Sequence, residues 1–411
     1  MIVFYRFLGV LYLSGVGIAS FFLPKAKKWI SGRRDWRSRL QAFRSAETGK
    51  KIIWMHCASL GEFEQGRPVL EKIRNEFPSY GIMLTFFSPS GYEFQKNYKG
   101  VDAVMYLPFD TPRNAADFIS ILNPSLALFI KYEYWHFYLE NLRKNKIPAV
   151  LISAVFRSSQ PFFQWWGGFY RNMLEAFSCL FVQDRHSVEL LSRIGYSHKA
   201  IISGDTRFDR VLEIATKAET IPAFEGFQFE NILIAGSTWE ADERLLQEWH
   251  KFNPSWHLIL VPHDVLPARI KYIRALFPDS ITYSGWDHKT QWRVLIIDQV
   301  GMLSKLYRYA TLCYVGGGFS KKGHHNILEA AVYGKAVATG PYFEKFRESV
   351  ELKKLKGSFA VSSGKELVQI TKNSETGIIA GNISRQYVLE KAGATGIICK
   401  WLQENRLLTN A

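Results

Sequence analysis

The chain has 411 residues, 47% of them hydrophobic and 15% aromatic, and its 52 Lys+Arg against 37 Asp+Glu leave a net charge of +15. That apolar content excludes a disordered protein, and the length excludes a small stapled scaffold; at roughly 100–200 residues per domain, two domains are expected. Cys57, Cys179, Cys313 and Cys399 lie far apart with no CxxC spacing, which excludes a zinc ribbon or redox motif and fits buried thiols in a cytosolic protein.

Residues 2–23, IVFYRFLGVLYLSGVGIASFFL, carry one charge, Arg6. A run of about 20 apolar residues matches the hydrocarbon thickness of a bilayer. It is longer than the apolar region of a signal peptide, and no small-x-small cleavage site precedes the basic block. That block, PKAKKWISGRRDWRSRL (24–40), holds Lys25, Lys27, Lys28, Arg33, Arg34, Arg37 and Arg39 against Asp35 alone. Excess cation after a span marks the cytoplasmic side, and Trp29 and Trp36 are expected at the headgroup layer. Residues 1–30 are therefore assigned to a membrane-anchor helix and the start of its basic flank.

From about Lys50, short apolar runs alternate with amphipathic stretches. The first series is 52–57, 82–87, 126–130, 149–153 and 179–183; the second is 232–236, 257–262, 294–298, 312–316 and 336–339. This is the pattern of parallel βαβ units, so two doubly wound sheets are predicted, one over 31–210 and one over 211–411 with a C-terminal helix. The boundary is placed between about Asp205 and Asn231, where Pro222 and Gly226 interrupt any strand pattern. A ligand is expected in a cleft between two such domains.

Three motifs carry candidate chemistry. In HCASLGEFEQGRPVLEKI (56–73) a strand ends near Cys57 and a helix begins near Glu62. This puts Glu62 at a strand's carboxyl end, where open α/β sheets bind ligands. Glu62 reads equally as a first-turn residue complementing the helix dipole, which weakens it as a base unless negative charge lies nearby, such as an anionic substrate. Pro68 requires a late or distorted helix start. In ILIAGSTWEADERLLQEW (232–249), Ser237 or Thr238 is expected to cap a helix whose first turns hold Glu240, Asp242 and Glu243, and those acids argue against an anion site. In LCYVGGGFSKKGHHNILEAAVYGKAVATGP (312–341), Gly316–Gly318, Lys321, Lys322, His324 and His325 precede a helix with Asn326 as its expected N-cap. Glycines admit a ligand close to the backbone, and free N–H groups beside Lys and His favour phosphate. Glu329 can complete a capping box or bind a ribose. Adjacent histidines point in different directions and make a poor metal pair. Smaller fragments place Glu133 (KYEYW), Arg207 (GDTRFD) and His263 (VPHD) at strand ends or loops.

Taken in order, SLGEFEQG, YLPFDTP, KYEYW, GDTRFD, AGSTWEADE, VPHD and GGGFSKKGHHNILEAA resemble the 3-deoxy-D-manno-octulosonic acid (Kdo) transferase family across nearly the whole chain. The resemblance implies a GT-B fold of two Rossmann-like domains facing a cleft, the first binding acceptor and the second binding nucleotide sugar. It implies inverting, metal-independent transfer of Kdo from CMP-Kdo to a lipid A precursor (lipid IVA) in lipopolysaccharide biosynthesis. No cofactor is implied, and the catalytic domains would stand on the cytoplasmic face of the inner membrane against anionic inner-leaflet lipid. By the same resemblance Glu62 matches the general base, and Glu133 and Arg207 match transition-state positions. Pro262, His263, Val300, Gly301, Met302, Asn326, Ile327, Leu328 and Glu329 match donor-binding positions.

Three departures stand out. Pro262-His263-Asp264 replaces the usual Pro-Arg-His, which leaves Arg269 as the substitute phosphate ligand to consider. Val300-Gly301-Met302 replaces Met-Gly-Glu, and Ile327 replaces a helix-start proline. The alternatives are another GT-B transferase acting on a lipid, such as a lipid A disaccharide synthase, or a membrane-tethered nucleic-acid binder. No RNP or KH pattern supports the last, and no nucleic-acid partner is expected.

Overall fold

The computed structural model describes residues 1–224, 231–321 and 323–409. Gly226 and Lys322, singled out above, lie outside the described residues.

Continuous apolar runs make strands buried on both faces, and parallel pairing follows because a helix covers each face in turn. One sheet holds β1 Ile52–Cys57, β2 Gly81–Phe86, β3 Ala103–Tyr106, β4 Pro124–Ile130, β5 Ala149–Ala154, β6 Phe177–Val182 and β7 Ala200–Ile202, in the order β3-β2-β1-β4-β5-β6-β7. The other holds β8 Ile232–Thr238, β9 His257–Pro262, β10 Ser280–Thr282, β11 Val294–Ile296, β12 Leu312–Val315, β13 Ala336–Thr339 and β14 Ser358–Ala360, in the order β10-β11-β9-β8-β12-β13-β14. Each described pairing is parallel. In each sheet the order reverses beside the first strand, between β1 and β4 and between β8 and β12. Open α/β sheets bind ligands outside the carboxyl ends at such a reversal.

The chain divides into two units: residues 1–210 with 392–411, and residues 211–391. The last helix, Ala394–Glu404, therefore belongs to the first unit and not, as its position in the chain suggests, to the second. Its Ile398, Cys399 and Leu402 join the core formed by Ile53, Val69 and Phe181. Asp209 holds its start, accepting from the N–H groups of Gly393 (2.7 Å) and Thr395 (3.0 Å). All four cysteines are free and buried.

The first helix, Ile2–Ala19, is apolar enough and long enough to cross a membrane, and none of its residues is fully buried. One stripe of it still docks on the first unit. Tyr5 donates to Asp110 Oδ2 (2.7 Å), and Tyr12 stacks on Phe109 with ring centroids 5.7 Å apart and planes 9° apart. The basic flank differs from expectation. Trp29 and Trp36 are buried in the first unit rather than presented to headgroups. Arg33 is used internally, donating to the carbonyls of Leu107, Trp29 and Phe87, and Arg37 pairs with Asp117 and Asn114. Lys25, Lys27, Lys28, Arg34 and Arg39 remain exposed.

Candidate active site

In the first unit, β1 runs into Ala58-Ser59 and then a helix, Leu60–Glu76, which continues through Pro68 rather than starting after it. Gly66 in this helix allows close packing on the sheet, since a Cβ there would lie 2.9 Å from both Ile130 Cδ1 and Met55 Sδ. That contact fixes the helix start, and with it Glu62, over the carboxyl end of β1.

Glu62 is half-buried and accepts from the Ala58 N–H at 2.5 Å. It thus reaches back to its own helix start, which satisfies an otherwise orphaned donor. Burial, and next the charge of Glu133, push its pKa up to about 8 against the opposing backbone N–H groups and Lys131. The negative charge that base chemistry requires is therefore already supplied by the protein.

Glu133 follows β4, the strand on the other side of the reversal. It is 6% exposed, and its Oε2 accepts from His56 Nε2 (3.0 Å) and Trp135 Nε1 (2.5 Å). Behind it, His56 Nδ1 lies 2.9 Å from Thr85 Oγ1, which also accepts from Trp54 Nε1 at 2.8 Å. One proton arrangement satisfies the whole chain: Trp54 to Thr85, Thr85 to His56 Nδ1, His56 Nε2–H to Glu133. His56 stands in the first motif, but its pairing with Glu133 arises only from the neighbouring of β1 and β4 and leaves no mark in the sequence.

Arg207 is gripped by Asp205, whose Oδ2 accepts from its guanidinium at 2.8 Å while Oδ1 accepts from its backbone N–H at 2.9 Å. It lies in the first turn of the helix Thr206–Lys217, whose start is pinned by Thr206, which donates to the Gln65 carbonyl and lies 2.8 Å from the Ser153 hydroxyl. Tyr132 links these parts. Burial chiefly raises its pKa, and it lies within electrostatic reach of Arg157, Arg207, Asp205 and Glu62. Lys131, Tyr132 and Arg157 were not predicted. Lys131 adopts φ +65°, a region that favours glycine, and the two cations flank the Tyr132 ring at 5.4 and 5.9 Å. A backbone outlier at a strand end leaves no mark in composition.

The second unit brings together some of its predicted residues. Trp239, at the end of β8, stacks on His263, after β9 (4.6 Å, 27°), and His263 stacks on His325, after β12 (4.6 Å, 22°). Trp239 Nε1 donates to His325 Nε2 at 3.2 Å. Burial, helped by His263 and His324, lowers the His325 pKa to about 4, so its ring is neutral at pH 7. His324 points the other way into the core, between Ser349 Oγ (2.8 Å) and the Phe346 ring. Pro262 is buried, Val300 is 82% exposed, and Gly301 needs its φ of +86°. Met302 caps a four-residue helix whose Leu303 side chain crowds Gly236 at the end of β8.

Several expectations for this unit need correction. Trp239, not Ser237 or Thr238, caps the helix Glu240–Phe252. Two of its three acids, Asp242 and Glu243, are buried and internally partnered, while Glu240 is exposed at the helix start and pairs with Arg244. Asp242 accepts from Tyr314, Gly317 and Trp239, while Glu243 accepts from Thr238 and Arg269. Arg269 is therefore committed to Glu243 at 2.5 Å. The glycines also have packing reasons: a Cβ at Gly316 would meet the Ser237 carbonyl at 2.6 Å, and one at Gly318 would meet Gly340 N at 2.6 Å. The helix after Asn326 is only Leu328–Ala331, with Ile327 as N-cap. Asn326 Oδ1 accepts from the Leu328 N–H, and its Nδ2 donates to Glu329 Oε1.

Residues 34–210, which hold Glu62, Glu133 and Arg207, match the family model described as 3-deoxy-D-manno-octulosonic-acid transferase (Kdo transferase). Residues 34–210 are thus similar to the Kdo-transferase family domain. The family is one of glycosyltransferases of lipopolysaccharide biosynthesis. Among its Kdo-transferase relatives, that of Aquifex aeolicus is 26% identical over 330 residues, covering 79% of this chain and 86% of that one. That of Haemophilus influenzae is 26% identical over 368 residues, covering 83% and 84%. The fold is also that of UDP-GlcNAc 2-epimerase from Neisseria meningitidis bound to UDP-GlcNAc (TM-score 0.61, 18% identity, 86% and 100% covered). Acinetobacter baumannii MurG is a further likeness (TM-score 0.54, 12% identity, 86% and 99% covered). Two doubly wound units with these neighbours give the GT-B fold class.

Proposed function

We propose that this chain transfers Kdo from CMP-Kdo to a hydroxyl of a lipid A precursor. The observation that carries the reading is the pair Glu62 and Glu133, brought together at the strand-order reversal of the unit that matches the family. An acceptor hydroxyl is far too weak an acid to ionise at neutral pH, so a base must take its proton as the new bond forms. Glu62, held near pH 8 by burial and Glu133, suits that task.

In the proposed step the acceptor oxygen bonds to the anomeric carbon of Kdo, Glu62 receives the proton, and the carbon–oxygen bond to CMP breaks with its electron pair leaving on phosphate. The transition state is oxocarbenium-like, and preorganised charge around it does most of the work. Arg207, fixed by Asp205, and Glu133, fixed by His56 and Trp135, are the proposed stabilising groups. Donor binding is assigned to Pro262, His263, Val300–Met302 and Asn326–Glu329. No metal takes part in the proposed step. The first helix and the exposed cations after it would hold the protein at an anionic membrane surface where a lipid acceptor lies.

The test is incubation of purified protein with cytidine triphosphate, Kdo, the activating synthetase and lipid IVA in EDTA, followed by mass analysis of the lipid. A mass gain of one or more Kdo units is expected. An unchanged lipid, or equal transfer from uridine nucleotide sugars, would overturn the reading.

A further inference from the structure

The first helix does more than present an apolar surface. Between it and the first unit lies a groove of about 620 Å³, within the ~300–1,000 Å³ range of small-ligand sites. Gly9, Tyr12 and Leu13 line it from the helix, and Phe87, Phe109 and Trp135 line it from the unit. Gly9 lets the two sides approach, since a Cβ there would lie 3.1 Å from Phe109 Cε1. Asp110, at the groove wall, is fully engaged by Tyr5 and the N–H groups of Phe137 and Tyr138, so it brings no unmet polar demand.

Trp135 joins this groove to the candidate active site. Its ring lies against Phe87 (4.7 Å), while its N–H donates to Glu133. The groove therefore runs up to the residue that donates to Glu133. On the opposite side of the helix, Phe4, Phe7, Leu11 and Ile18 are exposed by 52–66% and form a second apolar face. Arg6, the helix's one charge, lies at the groove, 5.4 Å above the Phe137 ring. A cation in so apolar a segment is costly unless it meets an anion.

We propose that this groove receives a fatty acyl chain of the lipid acceptor, with Arg6 against an anionic group of the same molecule. The proposal rests on the acceptor assigned above and adds how it is registered. A chain leaving the bilayer for the groove gains little hydrophobic energy, because both environments are apolar. What the groove supplies is position: it sets how far the sugar head extends past Trp135 toward Glu62.

The experiment uses the full chain in phosphatidylethanolamine–phosphatidylglycerol vesicles with two photoactivatable probes. One is lipid IVA with a diazirine on an acyl chain, and the other is phosphatidylethanolamine with the same diazirine. Labelled peptides are mapped by mass spectrometry. The acceptor probe is expected to mark the Phe87, Phe109 or Trp135 segments, and Leu13→Trp, which fills the groove, is expected to cut that label at least 5-fold. Label on the Phe4–Leu11 face should persist in the variant and shows that its helix is still placed. Acceptor label confined to the outer face, or groove label from the phospholipid alone, would overturn the proposal. This readout is independent of turnover, so failure of Kdo transfer with groove labelling intact would fault the assigned reaction and not the groove. In the transfer assay, Leu13→Trp should raise KM for lipid IVA about 5-fold while leaving kcat/KM for its deacylated head group unchanged. An equal change for both acceptors would also overturn it.

Discussion

Glu62 and Glu133 follow β1 and β4, adjacent strands at the point where the sheet's order reverses, and after burial the charge of Glu133 is the largest influence holding the Glu62 pKa near 8. The relay from Trp54 through Thr85 and His56 fixes Glu133 from behind. The proposed base is thus tuned by a partner that need not touch the acceptor proton itself.

A pH–rate profile tests this coupling. A base with its pKa near 8 is deprotonated only above that value, so kcat should rise with pH and level off above about 8. Glu62→Gln should lower kcat by ~10²–10⁴-fold while binding CMP-Kdo within about 3-fold of wild type. Glu133→Gln keeps an oxygen for His56 and Trp135 but removes the charge. Its remaining activity should show the rising limb moved to lower pH. A limb that stays in place would sever the proposed link between the two carboxylates.

Stability should follow the same titration with the opposite sense. The folded pKa of Glu62 lies above its ordinary value of 4.5, so the folded state binds the proton more tightly. The stability this contributes is fully present below about pH 4.5 and is lost as pH rises through about 8. Gln cannot ionise, yet it can still accept from the Ala58 N–H. The Tm of Glu62→Gln minus that of wild type should therefore be larger at pH 9 than at pH 5. A constant difference would show that Glu62 titrates as an ordinary carboxylate.

The strands that the sequence made legible are those inside the sheets. All ten apolar runs became strands β1, β2, β4, β5, β6, β8, β9, β11, β12 and β13, each flanked on both sides. The four that went unseen, β3, β7, β10 and β14, are the edges, three or four residues long and only partly buried. An edge strand has one neighbour, so it needs no continuous apolar run. Glu62 was legible because a strand–turn–helix motif fixes where its first-turn residue stands. Its elevated pKa was not, because Glu133 lies 71 positions away in the chain and meets it only through the pairing of β1 with β4. The placement of the last helix was hidden for the same reason, since Trp401 meets the Phe181 ring from 220 positions away in the chain.

Thr85 is the residue whose loss should separate positioning from catalysis. It is fully buried and serves both Trp54 and His56. Thr85→Val preserves shape but leaves two buried polar groups without their partner, at about 1–3 kcal/mol. His56 is then free to change tautomer and to release Glu133, so kcat should fall while KM for donor holds. Thr85→Ser restores the hydroxyl and should recover most of both losses. Chemical denaturation and steady-state kinetics on the pair of variants would check this, and a Ser variant as impaired as Val would show that packing of the methyl, not the hydrogen bond, matters.

Arg269 offers a direct test of how the proposed donor site manages without the arginine that the family resemblance implies beside Pro262. Its guanidinium lies 2.5 Å from Glu243, whose side chain is wholly buried. Removing one partner of such a pair leaves an uncompensated buried charge, at about 3–5 kcal/mol, whereas replacing both by apolar residues of similar size is often neutral. Arg269→Met should therefore destabilise the second unit strongly. Arg269→Met with Glu243→Met should return to within about 1 kcal/mol of wild type and bind CMP-Kdo normally. If the double variant folds well but loses donor affinity 10-fold or more, Arg269 contacts the donor after all. In that case the ion pair must open on binding, and the Trp239–His263–His325 stack is not sufficient by itself to hold the nucleotide end.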